Sequence, residues 1–182
     1  MAIERVVLTY QDYEVLPADG RRYEIHEGEL SVTPAPSPQH QAILGNLNEI
    51  LREHVKIRGL GKVFFAPIDC ILGVTTIVQP DLIYLDATRL SLVSDRGIEG
   101  APTLVVEVLS PSTTLIDRNT KRQLYQRHRV PYYWIVDPET RAIEAYSLSD
   151  GEYQLVTRAA GTVAVSLPPF SDLALIPASL WS

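Results

Sequence analysis

The chain has 182 residues, 46% hydrophobic and 21% charged, with a net charge of −6; that length fits one domain with a sizeable core. A single cysteine, Cys70, excludes an internal disulfide and cysteine-based zinc ligation, and no apolar run is long enough to span a bilayer. Residues 1–5 carry no secretory pattern, so a cytoplasmic setting is expected, and the acidic balance weighs mildly against a nonspecific grip on duplex nucleic acid.

Residues 9–16 read as a short helix stopped by Pro17 and Gly20. Residues 22–26 and 29–33 alternate on either side of Glu27-Gly28 and predict a hairpin. Ser37 as N-cap and Pro38 at the first helical position open a helix that runs to about Arg58 and ends at Gly59 and Gly61. Its apolar stripe is Ile43, Leu44, Leu47, Ile50, Leu51 and Val55. Three strands are expected next: 62–72, bent near Pro67, then 77–85 and 103–109, with a polar, mobile loop over 86–102. A second helix spans about 115–129, with Thr114 and Asp117 spaced as a capping box. Strands over 132–136, 142–148 and 153–157 follow, and the apolar end from Leu173 to Trp181 packs on the body. Helix, three strands, helix, strand predicts an α/β fold, a mixed sheet covered by helices. Residues 1–182 read as a single domain: a core over about 37–137, an N-terminal helix and hairpin over 9–33, and C-terminal strands over 142–157 with a tail.

Two acids interrupt apolar runs, Asp81 in Gln79-Pro80-Asp81-Leu82-Ile83-Tyr84-Leu85 and Glu107 in Leu104-Val105-Val106-Glu107-Val108-Leu109. An isolated charge taken out of water is costly unless something pairs with it. The strand of Glu107 looks buried on both faces, so this glutamate is expected to be paired or metal-bound. Asp81, following Pro80, also reads as a solvent-facing acid that satisfies a turn amide. Two acids on neighbouring strands share one small volume, where a divalent cation relieves their repulsion. Magnesium suits them, with manganese as an alternative and the Val108 carbonyl as an extra ligand. Such an ion neutralises a scissile phosphate and lowers the pKa of a bound water. Lys121 shares a helix face with Asp117, Leu124, Tyr125 and His128; it either points at the acids or snorkels past the sheet edge. It would either orient the attacking water or stabilise charge on the phosphorane; beside two carboxylates its ammonium stays protonated, which favours the electrostatic role.

Pro80-Asp81, then Glu107 on the next strand, then a lysine resemble the PD-(D/E)XK nuclease superfamily. More narrowly, Arg22-Tyr23-Glu24-Ile25 with Gly28-Glu29-Leu30, Ser37-Pro38-Gln39-His40, and Val105-Val106-Glu107-Val108-Leu109-Ser110-Pro111-Ser112-Thr113 resemble the Uma2 family. Lys121-Arg122-Gln123-Leu124-Tyr125 and Tyr132-Tyr133-Trp134-Ile135-Val136-Asp137-Pro138 extend the likeness over about 9–148. The resemblance implies a restriction-endonuclease-like αβββαβ core, an endodeoxyribonuclease acting on DNA, Asp81 and Glu107 as metal ligands, and a homodimer. The superfamily lysine two residues after the glutamate is Leu109 here, and Lys121 fits the variant in which it has migrated to the following helix. Glu24 joins the candidates through the resemblance, as a further ligand or as a holder of Lys121; its hairpin position alone would leave it facing solvent.

His40 reads as a cap or a phosphate contact and stays outside the candidate site. Asp69 is a candidate further acid, and the hydroxyls of Ser110 and Ser112 are candidates to bind a phosphate; no Gly-x-Ser-x-Gly elbow surrounds either serine. Arg118, Arg122, Arg127 and Arg129 are the candidate basic patch. The Tyr132-Tyr133-Trp134 run and the tail fit either a dimer interface or the core. Two rivals stand beside the nuclease reading. One is a catalytically silent module of the same fold for binding or assembly, favoured by the acidic charge and by Leu109. The other is a small-molecule phosphohydrolase.

Overall fold

The structure is a computed structural model that describes residues 6–182; residues 1–5, read above for a leader, lie outside the described residues. Helix α1 (Tyr10–Glu14) is fastened at its start, where the Asp12 carboxylate accepts the Thr9 backbone N–H at 2.7 Å. Strands β1 (Arg22–His26) and β2 (Glu29–Thr33) form the expected hairpin. Glu27 (φ 51°) and Gly28 (φ 88°) both take left-handed conformations at its turn, the geometry that suits a two-residue hairpin. Helix α2 (Pro38–Arg58) opens with the Ser37 hydroxyl accepting the His40 N–H and closes at left-handed Gly59.

The strands expected over 62–72 and 77–85 each break in two, and the halves join different sheets. Strand β3 (Gly61–Phe65) stops before Pro67 and β4 (Cys70–Gly73) resumes after it. Strand β5 (Thr76–Val78) stops before Pro80 and β6 (Leu82–Asp86) resumes after it. Proline brings no N–H to a ladder, and at both places the chain leaves one sheet for the other. The segment expected as a mobile loop is ordered: a 3₁₀ turn (Ala87–Leu92) leads into β7 (Val93–Ser94) and β8 (Gly97–Glu99), with Ile98 fully buried. Strand β9 (Leu104–Val108) is followed by a π-helical turn (Ile116–Lys121) running into α3 (Arg122–Arg127), then β10 (Tyr132–Asp137), β11 (Ala142–Ser149) and β12 (Glu152–Ala160). The expected capping box does not form, because Asp117 turns inward and the Thr114 hydroxyl bonds the Ser110 carbonyl instead. A hairpin, β13 (Val165–Leu167) and β14 (Phe170–Leu175), turns at Pro168-Pro169 and was not expected.

The main sheet has the order β12-β11-β10-β9-β6-β3 and the second β2-β1-β5-β4-β8-β7. Only β9 and β10 run parallel in the main sheet, joined by α3 as a crossover. The mixed α/β fold and the αβββαβ core, α2-β3-β6-β9-α3-β10, are those expected. One face of the main sheet packs Leu82, Val106 and Trp134 against α2 and the C-terminal hairpin. The other packs Ile83, Val105 and Ile135 against α3 and the second sheet. Tyr133 and Trp134 are fully buried and belong to the core, against which the partly buried Tyr132 packs.

Alternation along β9 puts Glu107 on the face of Val105, toward α3. The register pairs Leu82 with Val106; continued by one residue, it sets Asp81 opposite Glu107 on that same face.

Candidate active site

Glu24, Asp81, Glu107, Asp117 and Lys121 are all buried, between 0% and 4% exposed, which demands that each be paired. The structure brings together all four residues singled out from sequence. Lys121 Nζ donates to Glu107 Oε1 at 3.0 Å and to Glu24 Oε1 at 3.1 Å, and lies 3.8 Å from Asp117. Glu24 faces inward, not to solvent: its Oε1 also accepts the Gln79 N–H at 2.7 Å, and its Oε2 lies 2.9 Å from His26 Nε2. The Tyr125 hydroxyl donates to Glu107 Oε1 at 2.7 Å.

Asp81 occupies the crossing from β5 to β6, so its carboxylate is free of the ladder and reaches across to β9. Its Oδ2 accepts the Val108 N–H at 2.8 Å and lies 3.1 Å from His40 Nε2, while Arg22 donates to Oδ1 at 3.2 Å. The solvent-facing reading of Asp81 therefore fails. A cavity of about 240 Å³ opens over Asp81, Glu107 and Lys121, with Ser110 and Ser112 also in its wall.

The electrostatics follow from burial and from the count of charges. Burial pushes the Glu107 carboxyl up to about 8, helped by the negative Asp117, Asp81 and Glu24 and opposed by Lys121. For Lys121 burial opposes the charge, but Glu107, Glu24 and Asp117 outweigh it and hold the ammonium above its ordinary value. Glu24 and Asp117 remain within reach of the Lys121 ammonium whatever the state of Glu107. Burial also opposes ionisation of Glu24, yet Lys121 and His26 hold its carboxyl well below the usual range. Asp81 is likewise lowered against burial, by His40, Arg22 and the Val108 N–H.

Four carboxylates thus face two cations, Lys121 and Arg22. Full ionisation of the carboxyls exceeds these two cations by two negative charges, beside the imidazoles of His26 and His40. A proton on Glu107 lowers that excess by one, and a divalent cation lowers it by two. The donors are oxygens, the chemistry that suits magnesium, an ion that takes one or two carboxylates and keeps several waters. Among the described residues no three His, Cys, Asp or Glu side chains converge as a metal cage, so an ion held here would draw the rest of its shell from water and substrate.

Residues 10–178 match the model of the Uma2 family, described as "Putative restriction endonuclease". The chain belongs to the Uma2 family. A solved structure from Anabaena variabilis ATCC 29413, described as "a putative nuclease belonging to DUF820", superposes with a TM-score of 0.79 over 96% of this chain and 97% of that one. At 21% identity this is a likeness of fold. The type IIG restriction endonuclease BpuSI overlaps more weakly, with a TM-score of 0.42 and 12% identity over 82% of this chain and 16% of that one. No curated protein matches the chain.

Several residues of this Uma2 site were not singled out from sequence. His40, set aside as a cap, contacts Asp81 through its ring, and Arg22 and His26 share the Glu24 face of β1. Asp117 and Tyr125 sit four residues either side of Lys121, and that spacing is the signal that finds them. Other expectations are corrected. Asp69 accepts Tyr13 Oη and Gln79 Nε2 at 2.7 and 2.8 Å, pinning α1 away from the cavity. The arginine patch is mostly committed internally: Arg118 pairs with Asp137 and Glu144, Arg127 with Glu27, and Arg122 donates to the Tyr153 carbonyl.

Proposed function

We propose that the chain is a magnesium-dependent endonuclease that hydrolyses DNA phosphodiester bonds, with manganese as a working substitute. The observation that carries this reading is the buried Glu24–Lys121–Glu107 cluster beside Asp81 beneath an open cavity. A fold with no use for these charges would gain stability by replacing them with apolar groups. Asp81 and Glu107 would hold the ion, which when bound neutralises phosphate charge and acidifies a bound water.

The protein's own groups supply the rest. Asp81 is fixed as an anion by Val108 and His40. Tyr125 fixes Glu107 through Oε1, and among the described residues Oε2 has no hydrogen-bond partner. Lys121 holds its proton at Nζ and stabilises the negative charge that builds on the non-bridging phosphoryl oxygens as the water oxygen bonds to phosphorus and the bond to the leaving oxygen breaks. The water gives its proton to solvent, and the leaving oxygen takes one from solvent. Glu24 is a positioning residue: it accepts a second hydrogen bond from Lys121, with Oε2 held by His26. Ser110 and Ser112 line the cavity, and their hydroxyls would donate to phosphate oxygens. A cytoplasmic homodimer fits this reading, because two sites related by a two-fold axis cut both strands of a duplex.

The test is cleavage of plasmid and single-stranded DNA by the purified protein with magnesium, manganese or EDTA, beside Asp81→Ala and Glu107→Ala. Cutting that requires the metal and disappears in both variants is the expected result. A folded wild type that neither cuts DNA nor binds metal would leave the catalytically silent module as the better reading.

A further inference from the structure

Arg22 has no part in the hydrolytic scheme above, yet it lines the cavity and places Nη1 3.2 Å from Asp81 Oδ1. The other oxygen, Oδ2, already serves two partners, the Val108 N–H and His40 Nε2. Oδ1 is therefore the side on which a cation can reach Asp81, and the guanidinium stands there. Of the five N–H donors of a guanidinium, only the one on Asp81 has a partner among the described residues. The backbone of Arg22 is held within β1 by pairing with β2, while its side chain is 19% exposed at the cavity. The head can move where the backbone cannot. A single bond to one carboxylate oxygen leaves most of its capacity unused, and its planar fork matches two phosphate oxygens better.

We propose that Arg22 is the phosphate-capturing residue of this site and guards Asp81 until substrate arrives. A divalent cation arriving at Oδ1 repels the guanidinium, and the released head turns to a phosphodiester in the cavity. The inference rests on Asp81 being a metal ligand. Its consequence is that metal and nucleic acid assist each other's binding through Arg22, reciprocally. Without substrate, the guanidinium holds the metal affinity down.

Calorimetric titration of Mn²⁺ into metal-free protein, with and without a phosphorothioate DNA oligonucleotide, tests this. Arg22→Met is expected to bind Mn²⁺ about tenfold more tightly than wild type in the absence of DNA, a typical size for coupling between sites. It is also expected to bind the oligonucleotide more weakly and to show no gain in Mn²⁺ affinity when the oligonucleotide is present. Arg22→Lys, which keeps the charge but not the fork, should hold Mn²⁺ affinity near wild type and still lose the DNA-dependent gain. Asp81→Asn should abolish Mn²⁺ binding in each case. If wild type binds Mn²⁺ and Arg22→Met, folded by circular dichroism, binds it no more tightly, the guarding role is overturned while the metal reading stands. Absence of Mn²⁺ binding by wild type and Arg22→Met, with and without DNA, would overturn both.

Discussion

Replacing Lys121 with methionine keeps the aliphatic stem and deletes the one charge that holds three buried acids together. Nζ lies 3.0 Å from Glu107, 3.1 Å from Glu24 and 3.8 Å from Asp117. Removing one partner of a buried ion pair typically costs about 3–5 kcal/mol. Protonation limits the loss here. Burial already raises the Glu107 and Asp117 carboxyls, so the acid that must newly be neutralised in the variant is Glu24. Neutralising a carboxyl of ordinary pKa about 4.3 costs about 1.4 kcal/mol per pH unit, or roughly 4 kcal/mol at pH 7 and about 1 kcal/mol at pH 5. At this chain length each kcal/mol moves the melting temperature by about 2–4 °C, so Lys121→Met should melt about 8–16 °C lower at pH 7. Urea denaturation and calorimetry of metal-free wild type and variant at both pH values measure this. A loss below about 1 kcal/mol at pH 7, or one equal at pH 5 and pH 7, would refute the claim that Lys121 neutralises the cluster.

Glu24 is held below the usual carboxylate range, with Lys121 and His26 overcoming burial. Its contribution is therefore present above the unfolded value near about 4.3 and lost as pH falls toward the lower folded value. Glu24→Gln should accordingly flatten the decline of stability below about pH 5; an acid limb superimposable on wild type would contradict this. Tyr125→Phe removes the 2.7 Å bond to Glu107 with little change in volume and should cost about 1–3 kcal/mol in urea denaturation; unchanged stability would count against that bond. Gly61 has φ 138°, and an added Cβ would lie 2.0 Å from the Leu85 carbonyl oxygen. Gly61→Ala should therefore lose at least about 2 kcal/mol at the start of β3, and a melting curve like that of wild type would show that the two strands separate there without penalty.

Glu107 is legible in sequence because its apolar neighbours mark a strand buried on both faces. Lys121 is legible from helical spacing, and that spacing survives the π-helical turn: Asp117, Lys121, Leu124 and Tyr125 still share the buried face. Glu24 is a different case. Its hairpin looks locally like any exposed one, and its burial comes from the pairing of β1 with β5 and from a lysine 97 residues away. Pro67 and Pro80 mark where two long runs break, but the destination of the pieces is hidden. Strands β5, β7 and β8 have two or three residues each, too few to show a period. The 86–102 segment looks mobile because it is polar. Its order comes from contacts that composition does not reveal: Asp86 with Thr103, Arg89 with the Ala101 carbonyl, and Ile98 inserted into the core. The arginines of the π-helical turn and α3 resemble a nucleic-acid patch for a similar reason, since Asp137, Glu144 and Glu27 come from distant elements.

The central claim, that the opposed carboxylates form the metal centre of a hydrolase, is tested most directly by anomalous diffraction from crystals soaked in Mn²⁺. The account predicts one peak bonded to Asp81 Oδ1 and to Glu107, with Lys121 still gripped by Glu24. A fully ordered Asp81 and Glu107 with no peak between them at saturating Mn²⁺, or a peak bound only elsewhere, would contradict it.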